Sequence, residues 1–368
     1  MKCPYCNQEH PDEFLFCPTT GNKIETIMAY SKGSLHEYDS IGSFYEGLAV
    51  VRKDGKYGVM DINGSMIVPC TYSNILHFSE GLAACQKESG DWAFMNLAGK
   101  IVLSLPEGID VASDIGFKEG LCAVSGYIED SEDNSVLKYG FIDDKGYLVI
   151  GLLYDYAKDF AGGFAVVTIE DEDGYSQEIY INKKGEKAIP YEYWACHDFV
   201  GNYAIAKNEF GKWLVIDKNA QLIFKLKDKD SKWVDIGTDF VSYGLGEKLL
   251  WFRPENPNKH YYWNNVRTIY NKFSEGYLAV CSSVNGKWGF ITDEGKEQIP
   301  FVYEEAHDFK EGLAAVKVDG LWGFIGYTGM MIVKPMYNMV FDFSESRAVA
   351  KINNRWIVID KTGKIIVG

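Results

Sequence analysis

Residues 309–337 read FKEGLAAVKVDGLWGFIGYTGMMIVKPMY and hold one full copy of a repeated pattern. An aromatic anchor, Phe309, precedes Glu-Gly and a first apolar segment; Trp322-Gly323 opens a second segment, and a third ends at Tyr337. In the second segment Trp322 and Phe324 are two positions apart and share one face, the alternation that is typical of β-strands. The Asp319-Gly320 pair favours the positive φ angles of a two-residue hairpin turn. One copy therefore predicts a three-stranded antiparallel meander.

The anchor phrase recurs along most of the chain. Its eight visible anchors are Phe44, Phe78, Phe117, Phe160, Phe199, Phe273, Phe309 and Phe343. Their spacing leaves room for a ninth, eroded copy near Phe240, and the mean period is then about 37 residues, within the range of repeat architectures. We predict a repeat array over residues 41–368 with about nine units, one of them eroded near residues 225–265.

Two all-β arrangements can bury the aromatic faces of such units, because a single unit cannot do so alone. The units can wind into an open β-solenoid or superhelix, or they can form a β-propeller. A propeller blade normally has four strands in about 40–45 residues, whereas each unit here offers three predicted strands in fewer residues. The sequence therefore favours the open array, with the propeller as the alternative.

The second strand of the unit resembles that of a known family. Trp288-Gly289 and Trp322-Gly323, with Tyr57-Gly58 and Tyr139-Gly140 as Tyr variants, resemble the repeats of bacterial WG-repeat proteins. The resemblance covers about residues 40–368. It implies a β-rich array that acts mainly as an interaction surface, and it brings no catalytic residues. We expect the Gly after each Trp to permit the close approach of a neighbouring backbone or ring.

The N-terminal segment, residues 1–25, resembles a degenerate zinc ribbon. Thr20 stands where the usual fourth Cys would be, and the hydroxyl of Thr is a poor zinc ligand. A structural zinc ion takes four nitrogen or sulfur ligands in a tetrahedron. The metal ligands that we predict are Cys3, Cys6, Cys17 and His10. The alternative is a decayed ribbon that binds no metal; a linker, residues 26–40, follows in either case.

Composition and charge exclude several classes of partner. The chain has 37 Lys and Arg against 52 Asp and Glu, a net charge of −15, so a phosphate backbone would be repelled. No apolar stretch reaches the length of a membrane span, and the N-terminus does not resemble a secretory signal. The 8 Cys do not form a disulfide framework and suit a reducing compartment. We expect a cytoplasmic protein that binds neither nucleic acid nor membrane.

Catalytic motifs are weak. Cys196-His197-Asp198 brings three reactive types together, but neighbours on a strand point to opposite faces and cannot form a triad. Ala306-His307-Asp308 occupies the same place in another unit, so the repeat itself explains these residues. The sequence lacks a Walker loop, a dinucleotide fingerprint and a G-x-S-x-G elbow. We therefore expect no enzymatic activity.

The eroded unit is rich in aromatic residues. They are Trp233, Tyr243, Trp251, Phe252, Tyr261, Tyr262 and Trp263. Either they still pack inside the array, or they form a contact surface for a partner, because such surfaces favour Trp and Tyr. These seven are the predicted partner-binding residues.

The sequence thus predicts a non-enzymatic interaction scaffold that presents an acidic, aromatic surface to a protein partner. One alternative, suggested by the family resemblance, is an accessory or immunity-like component of a bacterial defence or conflict system. A second alternative is a hydrolase acting on carbohydrate or peptide. It requires paired carboxylates outside the repeat pattern, and the sequence shows no such pair. The identity of the partner and the oligomeric state stay open.

Overall fold

The computed structural model describes residues 35–129, 134–170, 173–226, 233–237, 239–245, 247–268 and 272–368. These residues form nine antiparallel sheets and one short 3-10 helix, η1 (Leu35–Glu37). Eight of the sheets have four strands and one has three. The all-β prediction is confirmed, and the nine sheets match the nine predicted units.

We number the sheets 1 to 9 along the chain. Sheet 1 contains β1 (Ser40–Tyr45), β2 (Leu48–Lys53), β3 (Lys56–Asp61) and β4 (Met66–Tyr72). Sheet 2 contains β5 (Asn74–Ile75), β6 (Leu82–Gln86), β7 (Trp92–Asn96) and β8 (Ile101–Ser104). Sheet 3 contains β9 (Ile109–Val111), β10 (Leu121–Glu129), β11 (Ser135–Asp143) and β12 (Leu148–Tyr154). Sheet 4 contains β13 (Tyr156–Ala157), β14 (Ala165–Glu170) and β15 (Ser176–Ile181). Sheet 5 contains β16 (Ala195–Cys196), β17 (Tyr203–Lys207), β18 (Trp213–Asp217) and β19 (Leu222–Lys225). Sheet 6 contains β20 (Trp233–Ile236), β21 (Val241–Leu245), β22 (Lys248–Phe252) and β23 (His260–Trp263). Sheet 7 contains β24 (Val266–Thr268), β25 (Tyr277–Ser282), β26 (Trp288–Thr292) and β27 (Glu297–Tyr303). Sheet 8 contains β28 (Glu305–Ala306), β29 (Ala314–Val318), β30 (Leu321–Ile325) and β31 (Met331–Tyr337). Sheet 9 contains β32 (Met339–Val340), β33 (Arg347–Ile352), β34 (Arg355–Asp360) and β35 (Ile365–Val367).

The prediction of three strands per unit was wrong for eight of the nine sheets. The segment expected to be an irregular return supplies a short first strand, such as β16, which pairs Ala195 with Lys207 and Cys196 with Ala206. A strand of two residues is too short to show an alternating pattern, so the sequence contains no periodic signal for it. In most units a buried anchor Phe follows the short first strand; Phe309, which follows β28, is 0% exposed.

The Glu-Gly of the anchor phrase forms a two-residue turn. Lys310 and Leu313 exchange backbone hydrogen bonds of 2.8 and 3.1 Å across it. Glu311 and Gly312 both have positive φ, 53° and 88°, as a turn of type I′ requires. The carboxylate of the Glu leaves the turn and accepts a hydrogen bond from the next repeat, where the amide of Ser346 lies 2.8 Å from Glu311 Oε2. The Glu therefore joins one repeat to the next as well as shaping its own turn.

The Gly of the Trp-Gly pair lies under a bulge of the last strand. In sheet 8, Trp322 pairs with Tyr337 and Phe324 with Val333, so three residues of β31 face the single Gly323. A Cβ on Gly323 would lie 2.5 Å from the carbonyl oxygen of Val333. The predicted close approach of a neighbouring backbone is confirmed, and it explains why Gly follows Trp here.

The chain divides into two compact units, which are described separately. The first holds the described residues up to 70 together with 309–368, and the second holds the described residues of 71–308. In the first unit, Ile41 and Phe44 of sheet 1 share a core cluster with Trp356 and Val358 of sheet 9. Ser344 also donates a hydrogen bond of 2.7 Å to the carbonyl of Phe44.

This contact between the first and last sheets corrects the expectation of an open array. The two ends of an open solenoid have no reason to meet, whereas a propeller brings its first and last blades together. Four strands per unit also match a propeller blade. The structure therefore favours the propeller alternative over the solenoid.

Candidate functional site

A groove of about 630 Å³ lies beside β23, the last strand of sheet 6. One wall is the continuous segment His260–Asn265. The other wall comes from sheet 7 and consists of Ser282, Glu294, Gly295, Glu297 and Phe301. The groove thus falls in the eroded repeat, where the sequence predicts partner-binding residues.

Stacked aromatic rings support the groove. Tyr261 pairs with Trp251 across β22 and β23, and their rings stack at 5.9 Å with an angle of 16° between the planes. Trp263 stacks on Phe301 of sheet 7 at 5.9 Å and 19°. Trp251 Nε1 also donates a hydrogen bond of 2.8 Å to the carbonyl of Asp293. These contacts hold the wall from sheet 7 in a defined position against β23.

The side chains of β23 alternate between the two faces of its sheet, as strand geometry requires. Tyr261 and Trp263 are half-buried in the stacks just described, whereas His260 and Tyr262 are exposed. Tyr262 is 63% exposed. A large aromatic side chain in open solvent beside a groove is the kind of residue that protein contacts use.

Two carboxylates give the groove its charge. Glu294 and Glu297 lie on the wall from sheet 7. Glu294 forms an ion pair of 2.6 Å with Lys296, and the hydrogen bond from that ammonium lowers the pKa of Glu294. Both partners of this pair are well exposed, so the pair is weak and can exchange for another cation. The groove is therefore suited to a positively charged group.

The structure separates the predicted partner-binding residues into two sets. Tyr243, Trp251 and Phe252 are buried in the core, while Tyr261, Tyr262 and Trp263 line the groove. Trp233 begins β20, and its side chain lies outside the described part of the structure. Both interpretations of the eroded unit thus have a structural counterpart. Its role in binding a partner stays a prediction.

Sequence reasoning missed the wall from sheet 7. Glu294 and Glu297 belong to the following repeat, about thirty residues further along the chain; Glu294 lies in the turn before β27, where acidic residues are ordinary, and Glu297 is the first residue of β27. No pattern within the eroded repeat points to them. Sequence reasoning could have found Glu294 and Glu297 by considering the aromatic cluster together with the carboxylates of the repeat that follows it.

A second cavity, of about 380 Å³, contains the Cys196-His197-Asp198 segment. The thiol of Cys196 is buried, and burial raises its pKa, so it is a poor nucleophile at neutral pH. The ammonium of Lys158 donates a hydrogen bond of 2.7 Å to the carbonyl of Cys196. Burial also lowers the pKa of His197. These contacts hold the backbone of the segment and give no activated nucleophile; the prediction that the protein is not an enzyme stays a prediction.

The predicted metal site falls on the N-terminal segment. Cys3, Cys6, Cys17 and His10 lie outside the described residues, so a structural zinc ion stays a prediction. Among the residues that the structure describes, no group of three or more His, Cys, Asp or Glu side chains has an arrangement that could hold a metal ion. In the same described part of the chain, no helix combines the length and apolar character needed to cross a membrane.

The comparisons with known proteins identify the repeat. Six segments match the family described as WG containing repeat and together cover just over half of the chain: residues 36–57, 57–89, 139–172, 180–213, 288–322 and 322–356. No curated protein matches the chain significantly in sequence.

The solved structures that are similar to this chain are distant. BamB from Moraxella catarrhalis has a TM-score of 0.42 and 11% identity, over 79% of this chain and 92% of that one. Hsv2 from Kluyveromyces lactis has a TM-score of 0.33 and 14% identity, over 54% of this chain and 71% of that one. At these scores, neither carries an argument about function.

Proposed function

This chain belongs to the family of WG-containing repeat proteins, and on that premise we propose that it is a non-enzymatic protein-interaction module. Its repeats form a series of similar sheets, and such arrays offer extended surfaces without the need for a deep pocket. The contact surface is the groove beside β23, and the partner is another protein.

One observation carries this proposal. The repeat whose anchor phrase is eroded is also the repeat whose last strand borders a groove with an exposed Tyr262 and two carboxylates. Other repeats use a Trp-Gly pair and a bulged last strand for packing, as Trp322-Gly323 and β31 do in sheet 8. A departure from the repeat that creates an aromatic groove is better explained by binding than by stability, because Tyr262 itself adds little buried area.

The test is affinity capture of the tagged full-length protein from its native cells, followed by mass spectrometry. The wild type is compared with Tyr262→Ala and with Tyr127→Ala. Tyr127 lies on β10 and is exposed to a similar degree, 69%, so its replacement is a matched control. We expect one stoichiometric protein partner that the Tyr127 variant retains and the Tyr262 variant loses. A partner retained equally by both variants would contradict the proposed surface, and capture of no protein by the folded wild type would contradict the function.

A further inference from the structure

We infer that the groove binds an extended, basic segment of the partner protein, which adds to sheet 6 as a fifth strand beside β23. This inference rests on the proposed function and specifies the mode and the chemistry of binding at the same surface. It follows from the edge of β23, from the space beside it and from the charge of the opposite wall.

The groove follows the edge of β23 rather than one of its faces. Successive side chains of a strand point to opposite faces, so a cavity on one face would contact every second residue. Here all four residues of β23, His260–Trp263, and the two residues that follow them border the groove. β23 is also the last strand in the order β20-β21-β22-β23, so its outer edge has no neighbour within the sheet.

The edge of β23 is regular. Four consecutive residues of β23 pair with β22, from Leu249 with Trp263 to Phe252 with His260, without a shift in register. By contrast, the register of β27 and of β31 shifts opposite a Gly, and these strands contain Pro300 and Pro335. Bulges and Pro are the usual means by which proteins block the addition of a strand to an exposed edge. Neither is present in β23, whose sequence is His-Tyr-Tyr-Trp.

The opposite wall leaves space next to the backbone of β23. Gly295, at the turn of sheet 7, lines this wall without a side chain; a Cβ there would make only ordinary contacts, at 3.5 Å with the ring of Trp251 and at 3.7 Å with the carbonyl oxygen of Tyr262. The space next to β23 is the groove itself, of about 630 Å³. An added strand needs such access, because it binds through main-chain hydrogen bonds to the edge and through side chains at alternate positions.

The charge of the groove selects a basic segment. Glu294 and Glu297 line the wall opposite β23. The charge of Lys259 also contributes to the lowered pKa of Glu294, whose ion-pair partner is the exposed Lys296. A Lys or Arg on the bound segment can replace that exposed partner at little cost. The net charge of −15 on the whole chain favours the approach of a basic segment.

The first part of the test selects ligands from a displayed library of random linear 12-residue peptides. The full-length wild type serves as bait, with Tyr262→Ala, Glu297→Lys and Tyr127→Ala as comparison baits, each checked for native circular dichroism. We expect peptides rich in Lys or Arg, whose affinity for Glu297→Lys falls about tenfold or more and whose affinity for Tyr127→Ala is unchanged. Peptides without basic residues, or recovery of no peptide, would overturn the inference.

The second part tests the mode of binding with N-methyl scanning of the best peptide. Each N-methyl group removes one backbone donor, and only every second residue of an added strand points its N–H at the edge. We expect affinity to fall about tenfold at alternate positions and to change little at the positions between them. A uniform response would overturn strand addition while leaving the proposed function intact, provided that Tyr262→Ala still weakens binding.

Two further outcomes separate the remaining possibilities. Peptide binding that Tyr262→Ala does not weaken would contradict both the inference and the proposed surface. Self-association of the wild type without peptide, abolished by Tyr262→Ala in sedimentation velocity, would assign the edge to a second copy of this chain and overturn the inference.

Discussion

Glu345 accepts a hydrogen bond of 2.9 Å from the backbone amide of Gly47, a residue 298 positions earlier in the chain. The same contact joins consecutive repeats: Glu80 accepts hydrogen bonds from the amides of Glu119 and Gly120, at 2.6 and 2.8 Å. In each case the carboxylate of the Glu in one anchor turn accepts hydrogen bonds from the backbone of the corresponding turn in another repeat, although Ser346 replaces the Gly in the turn of Glu345. The last repeat is therefore joined to the first in the way that neighbours along the chain are joined.

Replacing Glu345 by Ala is expected to destabilise the protein by about 1 kcal/mol, since hydrogen bonds to charged groups contribute more than this when buried and less when exposed. The measurement is urea unfolding at pH 7, followed by fluorescence. Glu80→Ala, which removes the equivalent contact between consecutive repeats, should have a similar effect. Glu209→Ala, an exposed residue in the β17–β18 hairpin, is the control and should unfold like the wild type. An unfolding midpoint for Glu345→Ala that equals the wild type would show that this contact does not contribute.

Replacing Gly323 by Ala is expected to destabilise the protein by roughly 1–3 kcal/mol, because the new methyl group would overlap with backbone. Its Cβ would lie 2.5 Å from the carbonyl oxygen of Val333. Gly326 is the matched control, since a Cβ there would meet only the side chain of Ile332, at 3.7 Å. Urea midpoints of the two variants should therefore differ clearly, and equal midpoints would contradict the explanation given for the Trp-Gly pair.

Stability is expected to depend on pH through Glu311. Burial alone would raise the pKa of Glu311, but hydrogen bonds from the Ser346 amide and from the Lys361 ammonium lower it overall. A pKa that is lower in the folded state stabilises the protein above the pKa of the unfolded state, about 4.3, and this contribution is lost as the pH falls through the folded value. The difference in unfolding free energy between the wild type and Glu311→Gln should therefore be largest near pH 7 and shrink below about pH 4. A difference that grows towards acid pH would contradict this account.

The buried thiols are expected to be unreactive in the native protein. Burial raises the pKa of Cys85 to about 12 and also raises the pKa of Cys122, so neither thiolate is populated near neutral pH. Treatment with iodoacetamide at pH 8, followed by peptide mapping, should leave both residues unmodified. The same treatment in urea should modify both. Labelling of either thiol at the rate of a free cysteine under native conditions would show that these strands open more readily than their burial implies.

The features that sequence reasoning predicted correctly are local. The two-residue turns and the role of Gly323 depend on residues within one copy of the repeat, where the turn chemistry and the alternation are visible, and the nine units follow from counting the copies. The short first strands were missed because most of them have only two or three residues, too few to show periodicity. Their existence depends on backbone pairing with the next long strand, as between Ala195 and Lys207.

The features that sequence reasoning missed depend on contacts between repeats. The contact of Glu345 with Gly47 joins residues at opposite ends of the array, and no pattern within a repeat indicates whether those ends meet. The groove is similar, because Tyr262 belongs to the eroded repeat whereas Glu297 belongs to the next one. Sequence reasoning found the aromatic half of the candidate site and assigned Trp251 and Phe252 to the same surface, although both are 0% exposed. Aromatic content alone does not distinguish a core residue from a contact residue.

Photo-crosslinking tests the proposed binding surface most directly. The photoreactive phenylalanine analogue p-benzoylphenylalanine is incorporated at position 262 in one sample and at position 127 in another, and the protein is irradiated in its native cells. Both replaced residues are exposed tyrosines, so the analogue preserves their aromatic character. We expect the captured partner to cross-link from position 262 and not from position 127. Cross-linking from position 127 alone, or from neither position while the partner remains bound, would contradict the assignment of the groove beside β23 as the binding site.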